Sequence, residues 1–241
     1  MTLDPAAGPG APRSGRVLFV LDRYMGAATA VARGEGHRAA LETLGWKTDC
    51  VEYRCGHRPY DRAALSRTIA EITERARLFD LVYLLKVPSL RLVARLKRET
   101  EARVVFDLTD ALWRQYFHGW HDLKPLLQSV DAVFTDNDYC AAYGRRFNPR
   151  VFILPYGVET ERFDRARAAR PGRTDGVVVL GWIGSPSTVS ALAAVRRPLQ
   201  AVCARHPQAQ ARIVGCGNVA PAGLDRIPHT VRAFYDEAAM I

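Results

Sequence analysis

Asp107 and Asp110, three residues apart in the run R-V-V-F-D-L-T-D, are the residues of this 241-residue sequence best suited to acid–base work. They follow a short apolar run, and a carboxylate placed there can accept a hydrogen bond from a hydroxyl or take up its proton. Asp107 also reads as the residue that ends a strand, so Asp110 is the stronger candidate; either suits a helix N-cap. A second acidic group, Asp136-Asn137-Asp138, has the Asp-x-Asp form that bridges a divalent cation to a diphosphate. It stands just before a helical pattern opening near Tyr139, so Asp138 fits an N-cap equally well and Asn137 is left to face a ligand. His118 and His121 can be drawn into a metal set with these aspartates, but two histidines separated by Gly-Trp are more simply solvated loop residues, and no metal is expected.

Two further loops suit anions. The segment 22–29, D-R-Y-M-G-A-A-T, follows the first apolar run, and Gly26 lets a ligand approach the backbone closely before a helix begins. It lacks the G-x-G-x-x-G of a dinucleotide site. The segment 184–188 places Gly184, Ser185, Ser187 and Thr188 between a strand pattern and a helix pattern, a reasonable cradle for a diphosphate. Plain capping with Pro186 in the first turn is the competing explanation.

The elements that must hold these residues alternate. Apolar runs at 16–21, 47–53, 81–85, 103–107, 132–135 and 151–154 read as strands. Helical spacing separates them at 28–44, closed by Gly45, and at 62–77, 90–99 and 139–147. Continuous apolar strands divided by helices predict a parallel sheet covered on both faces, so residues 16–155 form one complete Rossmann-like domain. An Arg-, Ala- and Pro-rich stretch makes 156–175 a hinge and linker. The pattern then restarts, with a strand at 176–183, a helix at 188–205, strands at 211–214 and near 230–231, and a helix opening at 235. The stretch 176–241 is shorter than the ~100–150 residues of a full domain of this kind, so a partial second domain is expected.

Lysine and arginine number 34 against 25 acidic residues, a net charge of +9, which favours phosphate-bearing partners or an anionic surface. No nucleic-acid-binding motif accompanies the charge, and nucleic acid is not expected as a partner. In the 90–99 helix, Arg91, Arg95 and Arg98 oppose Leu92, Val93 and Leu96; this is either the solvated face of a sheet-covering helix or a peripheral contact with an anionic leaflet. No apolar run reaches ~18 residues, and residues 1–15, rich in Pro, Gly and Ala, lack a signal-peptide core and read as a disordered lead-in. The five cysteines form no Cys-x-x-Cys pair, which suits a reducing cytoplasm, with the inner membrane face as the site of any peripheral contact.

The run V-F-I-L-P-Y-G-V-E-T-E-R-F at 151–163 resembles the segment joining the two domains of family 4 (group 1) glycosyltransferases, which have the GT-B fold. Tyr156 stands for the usual Asn and Glu159 for the usual Asp. Three stretches agree in order: D-A-V-F-T-D-N-D-Y at 131–139, L-G-W-I-G-S-P-S-T at 180–188 and R-I-V-G-C-G-N at 212–218. The resemblance implies an α/β protein of GT-B type, with a complete acceptor domain followed by an incomplete donor domain.

It further implies retaining, metal-independent transfer of a sugar such as a hexose from a nucleotide sugar to a hydroxyl of a sugar or lipid-linked acceptor, as in cell-envelope glycan or glycolipid assembly. The nucleotide sugar is a co-substrate, and no cofactor is implied. Asp110 and Asp107 would act on the acceptor. Gly26, Asn137, Tyr156 and Gly157 would line the acceptor side, and Gly184, Ser185, Ser187, Thr188, Gly215 and Gly217 would face the donor diphosphate. The family's Glu-(x)7-Glu element does not occur in the donor segment, so the chain reads as C-terminally truncated. A binding module without activity, or another Rossmann-type sugar-nucleotide enzyme, are the alternatives. The Asp-x-Asp of the single-domain GT-A enzymes is disfavoured by the restart of strand–helix units after the linker.

Overall fold

A computed structural model describes residues 14–21, 30–53, 62–114, 123–155, 157, 160–168, 176–186, 188–216 and 229–232. The chain forms two compact units that divide between Val158 and Glu159. In the first, strands β1 (Arg16–Leu21), β2 (Lys47–Glu52), β3 (Leu81–Leu85), β4 (Arg103–Asp107), β5 (Ala132–Thr135) and β6 (Val151–Ile153) make one sheet, all parallel, in the order β2-β1-β3-β4-β5-β6. The chain order reverses between β1 and β3, and the carboxyl ends of those strands are where such sheets bind ligands.

Alternation along each strand sorts the core onto two faces. Leu18, Val20, Val82, Leu84, Val104, Phe106 and Val133 point to one face. There they meet α2 (Arg62–Ala76) through Leu65, Ile69 and Ile72, and α3 (Leu90–Glu99) through Leu92, Val93 and Leu96. Leu126 and Leu127 of the short α4 (Lys124–Ser129) and Cys140 of α5 (Asp138–Gly144) complete this layer. Ser89 caps α3 by accepting a hydrogen bond from the Leu92 amide at 3.2 Å. On the other face Val17, Phe19, Leu21, Tyr83, Leu85 and Val105 pack with Leu41 of α1 (Gly36–Thr43) and with Trp46.

The helix expected at 28–44 is described from Ala30, and it opens as a π-helical turn, Ala30–Glu35, that leads into α1. The wide turn carries Arg33 into the interior, and Gly34 lies so close to β1 that a Cβ there would stand 3.1 Å from Leu21 Cδ1. Gly45 ends α1 at φ +82°, as its sequence position suggested. The helix expected at 139–147 is one residue earlier at its start and stops at Gly144, after which Asn148 turns the chain into β6.

In the second unit, β7 (Val178–Ile183), β8 (Ala209–Val214) and β9 (His229–Arg232) form a parallel sheet in that order. A 3-10 turn (Val189–Ala191) and α7 (Leu192–Arg205) connect β7 to β8, and Val189, Leu192, Ala211 and Ile213 form a small core with Trp182 and Leu199. A helix, α6 (Thr160–Ala168), occupies part of the stretch read as linker; the Ala- and Arg-rich composition that suggested a loop is also good helix-forming composition. Helix 188–205 differs from expectation at its start, where the first turn is 3-10, and the helix expected from 235 lies outside the described residues.

Asn148 has no distinguishing sequence context, yet it ties the end of α4 to the turn that enters β6. Its buried amide donates to the carbonyls of Leu127 (2.7 Å) and Val130 (3.0 Å), and its oxygen accepts from the Arg150 amide (2.8 Å). Replacing it leaves two buried carbonyls without a donor, each worth about 1–3 kcal/mol. Asn148→Ala should therefore lower the free energy of urea unfolding of the first unit by about 2–3 kcal/mol, and an unchanged midpoint and slope would show that water replaces the side chain.

Candidate active site

At the carboxyl end of the first sheet the structure separates Asp107 from Asp110. Asp107 is wholly buried, and its Oδ2 accepts from Arg33 Nε at 2.7 Å and from the Tyr83 hydroxyl. Arg33 Nη1 donates to the Leu154 carbonyl at 2.7 Å, just past β6. One guanidinium thus ties the turn after β1 to β4 and to the last strand of the unit. His37, one turn further along, brings Nδ1 to 3.4 Å from the Tyr83 hydroxyl and sets its ring edge-on to that tyrosine.

Burial dominates the electrostatics of this cluster. It pushes the Asp107 carboxyl up, against the opposing pull of Arg33 and of the Tyr83 hydroxyl. It acts to lower the Arg33 guanidinium, but the Asp107 charge and the Tyr83 contact hold that group above its ordinary value. Burial and the Asp107 charge push the Tyr83 hydroxyl far up, so it stays a proton donor to the carboxylate. His37 is pushed down to about 4, first by burial and then by the Arg33 charge. Arg33 within the apolar run A-V-A-R-G was the available sequence sign that a charge turns inward; neither it nor Tyr83 nor His37 was singled out.

Asp110 lies three residues beyond the strand end and keeps 48% of its side chain exposed. Its Oδ2 is 2.5 Å from the ammonium of Lys86, whose side chain is only 11% exposed. Lys86 immediately follows β3, at the point where strand order reverses, and it is the one non-glycine residue with positive φ (54°) among the described residues. A lysine held in the left-handed region costs on the order of 1 kcal/mol or more, and such backbone strain concentrates at functional positions. Lys86 escaped notice in the sequence, although a lysine directly after L-V-Y-L-L marks a strand's carboxyl end.

Three residues after Asp110 in the chain an aromatic group begins. Trp113, in the 3-10 turn Leu112–Arg114, stacks on Tyr143 with ring centroids 3.8 Å apart and planes 4° from parallel. Tyr139 stacks on the same indole at 5.6 Å, and its hydroxyl accepts from Arg114 Nη1 at 3.0 Å. Burial, with smaller contributions from the Asp136 and Asp110 charges, pushes the Cys140 thiol at the start of α5 up.

Asn137, not Asp138, caps α5: its Oδ1 accepts from the Cys140 amide at 2.8 Å, and its amide donates to Asp136 Oδ1. Among the described residues no cluster of three or more metal-ligating side chains occurs. In the second unit the Gly184–Thr188 loop is closed on itself. The Gly184 amide donates to Val214 O (3.1 Å), that of Ser185 to Thr188 Oγ1 (3.0 Å), and those of Thr188 and Val189 to Ser185 O (2.9 and 3.1 Å). Gly184 is also required by packing, since a Cβ would meet Trp182 Cζ2 at 2.4 Å. Gly215 ends β8 at φ +84°, and Gly157 is exposed. Gly26, Tyr156, Ser187, Gly217, His118 and His121 lie outside the described residues.

Of the arginines on α3, Arg95 and Arg98 both bind Glu99 and Arg91 donates to Ser66 Oγ, so the stripe is partly neutralised. No helix among the described residues is long and apolar enough to cross a membrane.

No protein-family profile matches the chain, and no curated protein matches it by sequence. Solved structures do match its fold. An alpha-glucosyltransferase in complex with UDP and a 13-mer DNA containing a HMU base aligns with a TM-score of 0.64 at 13% identity, over 95% of this chain and 69% of that one. HepE of Anabaena in complex with UDP-glucose aligns with a TM-score of 0.58 at 11% identity, over 92% and 70% of the two chains. A glycosyltransferase of Rickettsia africae aligns at 0.62 and 11%, over 93% and 69%. The six-stranded parallel sheet followed by a smaller parallel sheet is the GT-B architecture of these glycosyltransferases.

Removing one member of a buried ion pair strands the other charge, at a cost of about 3–5 kcal/mol. Arg33→Leu should therefore destabilise the first unit by about that amount in urea unfolding, whereas a loss below ~1 kcal/mol would mean Asp107 is neutral in the folded state.

His37 has a folded-state pKa below its unfolded one, so the unfolded chain binds the extra proton between pH 6.5 and about 4. Its contribution to stability is complete above pH 6.5 and declines as pH falls through that window. His37→Gln should remove this component of the pH dependence, and the His37 ring should titrate near pH 4 by NMR; a midpoint near 6.5 would place the ring in solvent.

Proposed function

We propose that this protein transfers a hexosyl group from a nucleoside diphosphate sugar to a hydroxyl acceptor, with retention at the anomeric carbon. The observation that carries the proposal is the Lys86–Asp110 pair on a GT-B fold: a half-exposed carboxylate held by a lysine in a strained conformation at the strand-order reversal. Structures of the same architecture hold UDP or UDP-glucose, which supports a uridine diphosphate sugar as donor.

In this reading Asp110 accepts the hydrogen bond of the acceptor hydroxyl and aligns its oxygen on the anomeric carbon. The bond from that carbon to the diphosphate oxygen breaks, the bond to the acceptor oxygen forms, and the hydroxyl proton leaves with the diphosphate. Lys86 fixes the carboxylate rotamer from below, as a preorganised positioning group. Asp107, enclosed by Arg33 and Tyr83, supports the strand end rather than meeting substrate. The second unit is assigned the donor by analogy of fold. The amides of Gly184, Ser185 and Thr188 are already bonded, so the Ser185 hydroxyl is what this loop would offer a diphosphate.

UDP-glucose binding by calorimetry and UDP release in the presence of simple glycosides test the proposal. Asp110→Asn should keep donor affinity and lower turnover by ~10²-fold or more. Unchanged turnover in a folded variant, or no UDP-glucose binding by the parent protein, would count against it.

A further inference from the structure

We infer that Tyr139 is a stacking platform for a pyranose ring, so that the acceptor is a carbohydrate whose hydroxyl is presented to Asp110. The inference names the acceptor class for the transfer reading and rests on that reading for the role of Asp110. Tyr139 is a large aromatic side chain left 56% exposed at the carboxyl edge of the sheet. It is not free to swing as a surface tyrosine is: its ring lies on Trp113, Trp113 lies flat on Tyr143, and Arg114 holds its hydroxyl. Three side chains thus fix one ring in place while leaving much of it in solvent. An aromatic ring immobilised in this way loses little entropy when it is covered, which is what a binding platform requires.

The surroundings select the ligand. A pyranose presents an apolar face of C–H groups and a rim of hydroxyls. The platform offers an electron-rich ring face for the first. Asp110, three residues before the Trp113 on which Tyr139 stacks, offers an acceptor for the second, and Lys86 and Arg114 add donors. An alkyl chain would cover the ring but would offer no hydrogen bond to the half-exposed Asp110 carboxylate in place of the water it displaces. A sugar satisfies both sets.

Saturation-transfer NMR with neutral pyranosides (methyl glucoside, methyl mannoside, methyl galactoside, maltose and cellobiose), together with a UDP-glucose titration of the same samples, decides the matter. At least one pyranoside should receive saturation on its C–H face from the protein. Tyr139→Ala should weaken that binding by about tenfold or more. Tyr139→Phe, which keeps the ring, should stay within about threefold, and UDP-glucose affinity should be the same in all three proteins. Pyranoside binding that survives Tyr139→Ala, or its absence from the whole panel while UDP-glucose still binds, would overturn the inference and leave the transfer reading standing. Tyr139-dependent pyranoside binding without any UDP-glucose turnover would uphold the platform and sink the transfer reading.

Discussion

The ion pair between Arg33 and Asp107 is the contact on which the working end of the first unit depends. It is buried on both sides, and each partner comes from a different part of the chain, 74 residues apart. A buried guanidinium is tolerated only where its hydrogen bonds are met. Here two of them are made, from Nε to the end of β4 and from Nη1 to a carbonyl at the end of β6, and Tyr83 of β3 is a second donor to the same carboxylate oxygen. The carboxyl ends of β4 and β6 are thereby joined by one side chain. The wide π-helical turn is the local deformation that lets Arg33 reach inward, and Gly34 is the residue that lets that turn lie against β1.

With the strand ends fixed, the next layer can carry exposed chemistry. Lys86 and Asp110 project just beyond β3 and β4, and the distance between their charged atoms is set by the parallel register in which Leu85 faces Asp107. The aromatic stack on α5 follows in turn from the position of β5, because Asn137 starts that helix two residues past the strand. Each exposed group is thus one short step from the buried cluster, which is how a marginally stable fold presents rigid side chains at its surface.

The same logic bears on the two roles of acidic residues at this edge. Asp107 and Asp110 are chemically identical and three residues apart, yet one is enclosed and the other half exposed. The difference is only that Asp107 is still in the strand, on the face covered by α1, whereas Asp110 is in the turn that leaves it. A carboxylate's work is decided by which side of that boundary it falls on.

Much of the architecture could be read from the residues alone. Apolar runs of five or six residues separated by helical spacing can bury their surface only as parallel strands between helices. The expected strands at 16–21, 81–85, 103–107 and 132–135 and the helix at 90–99 therefore appear with the same boundaries, and Gly45 ends its helix with the φ that its position demands. That Asp107 ends an apolar run and Asp110 lies beyond it was likewise legible, and it is the reason that one is buried and the other half exposed. What the sequence could not show were Arg33, Tyr83, Lys86 and Asn148, whose partners lie 74, 24, 24 and 21 residues away along the chain. Local periodicity reports which face a residue takes and says nothing of which distant strand lies opposite. Those pairings arise only when the order β2-β1-β3-β4-β5-β6 brings the strand ends together, and it is the tertiary structure that turned isolated charges into a buried ion pair and a half-exposed one.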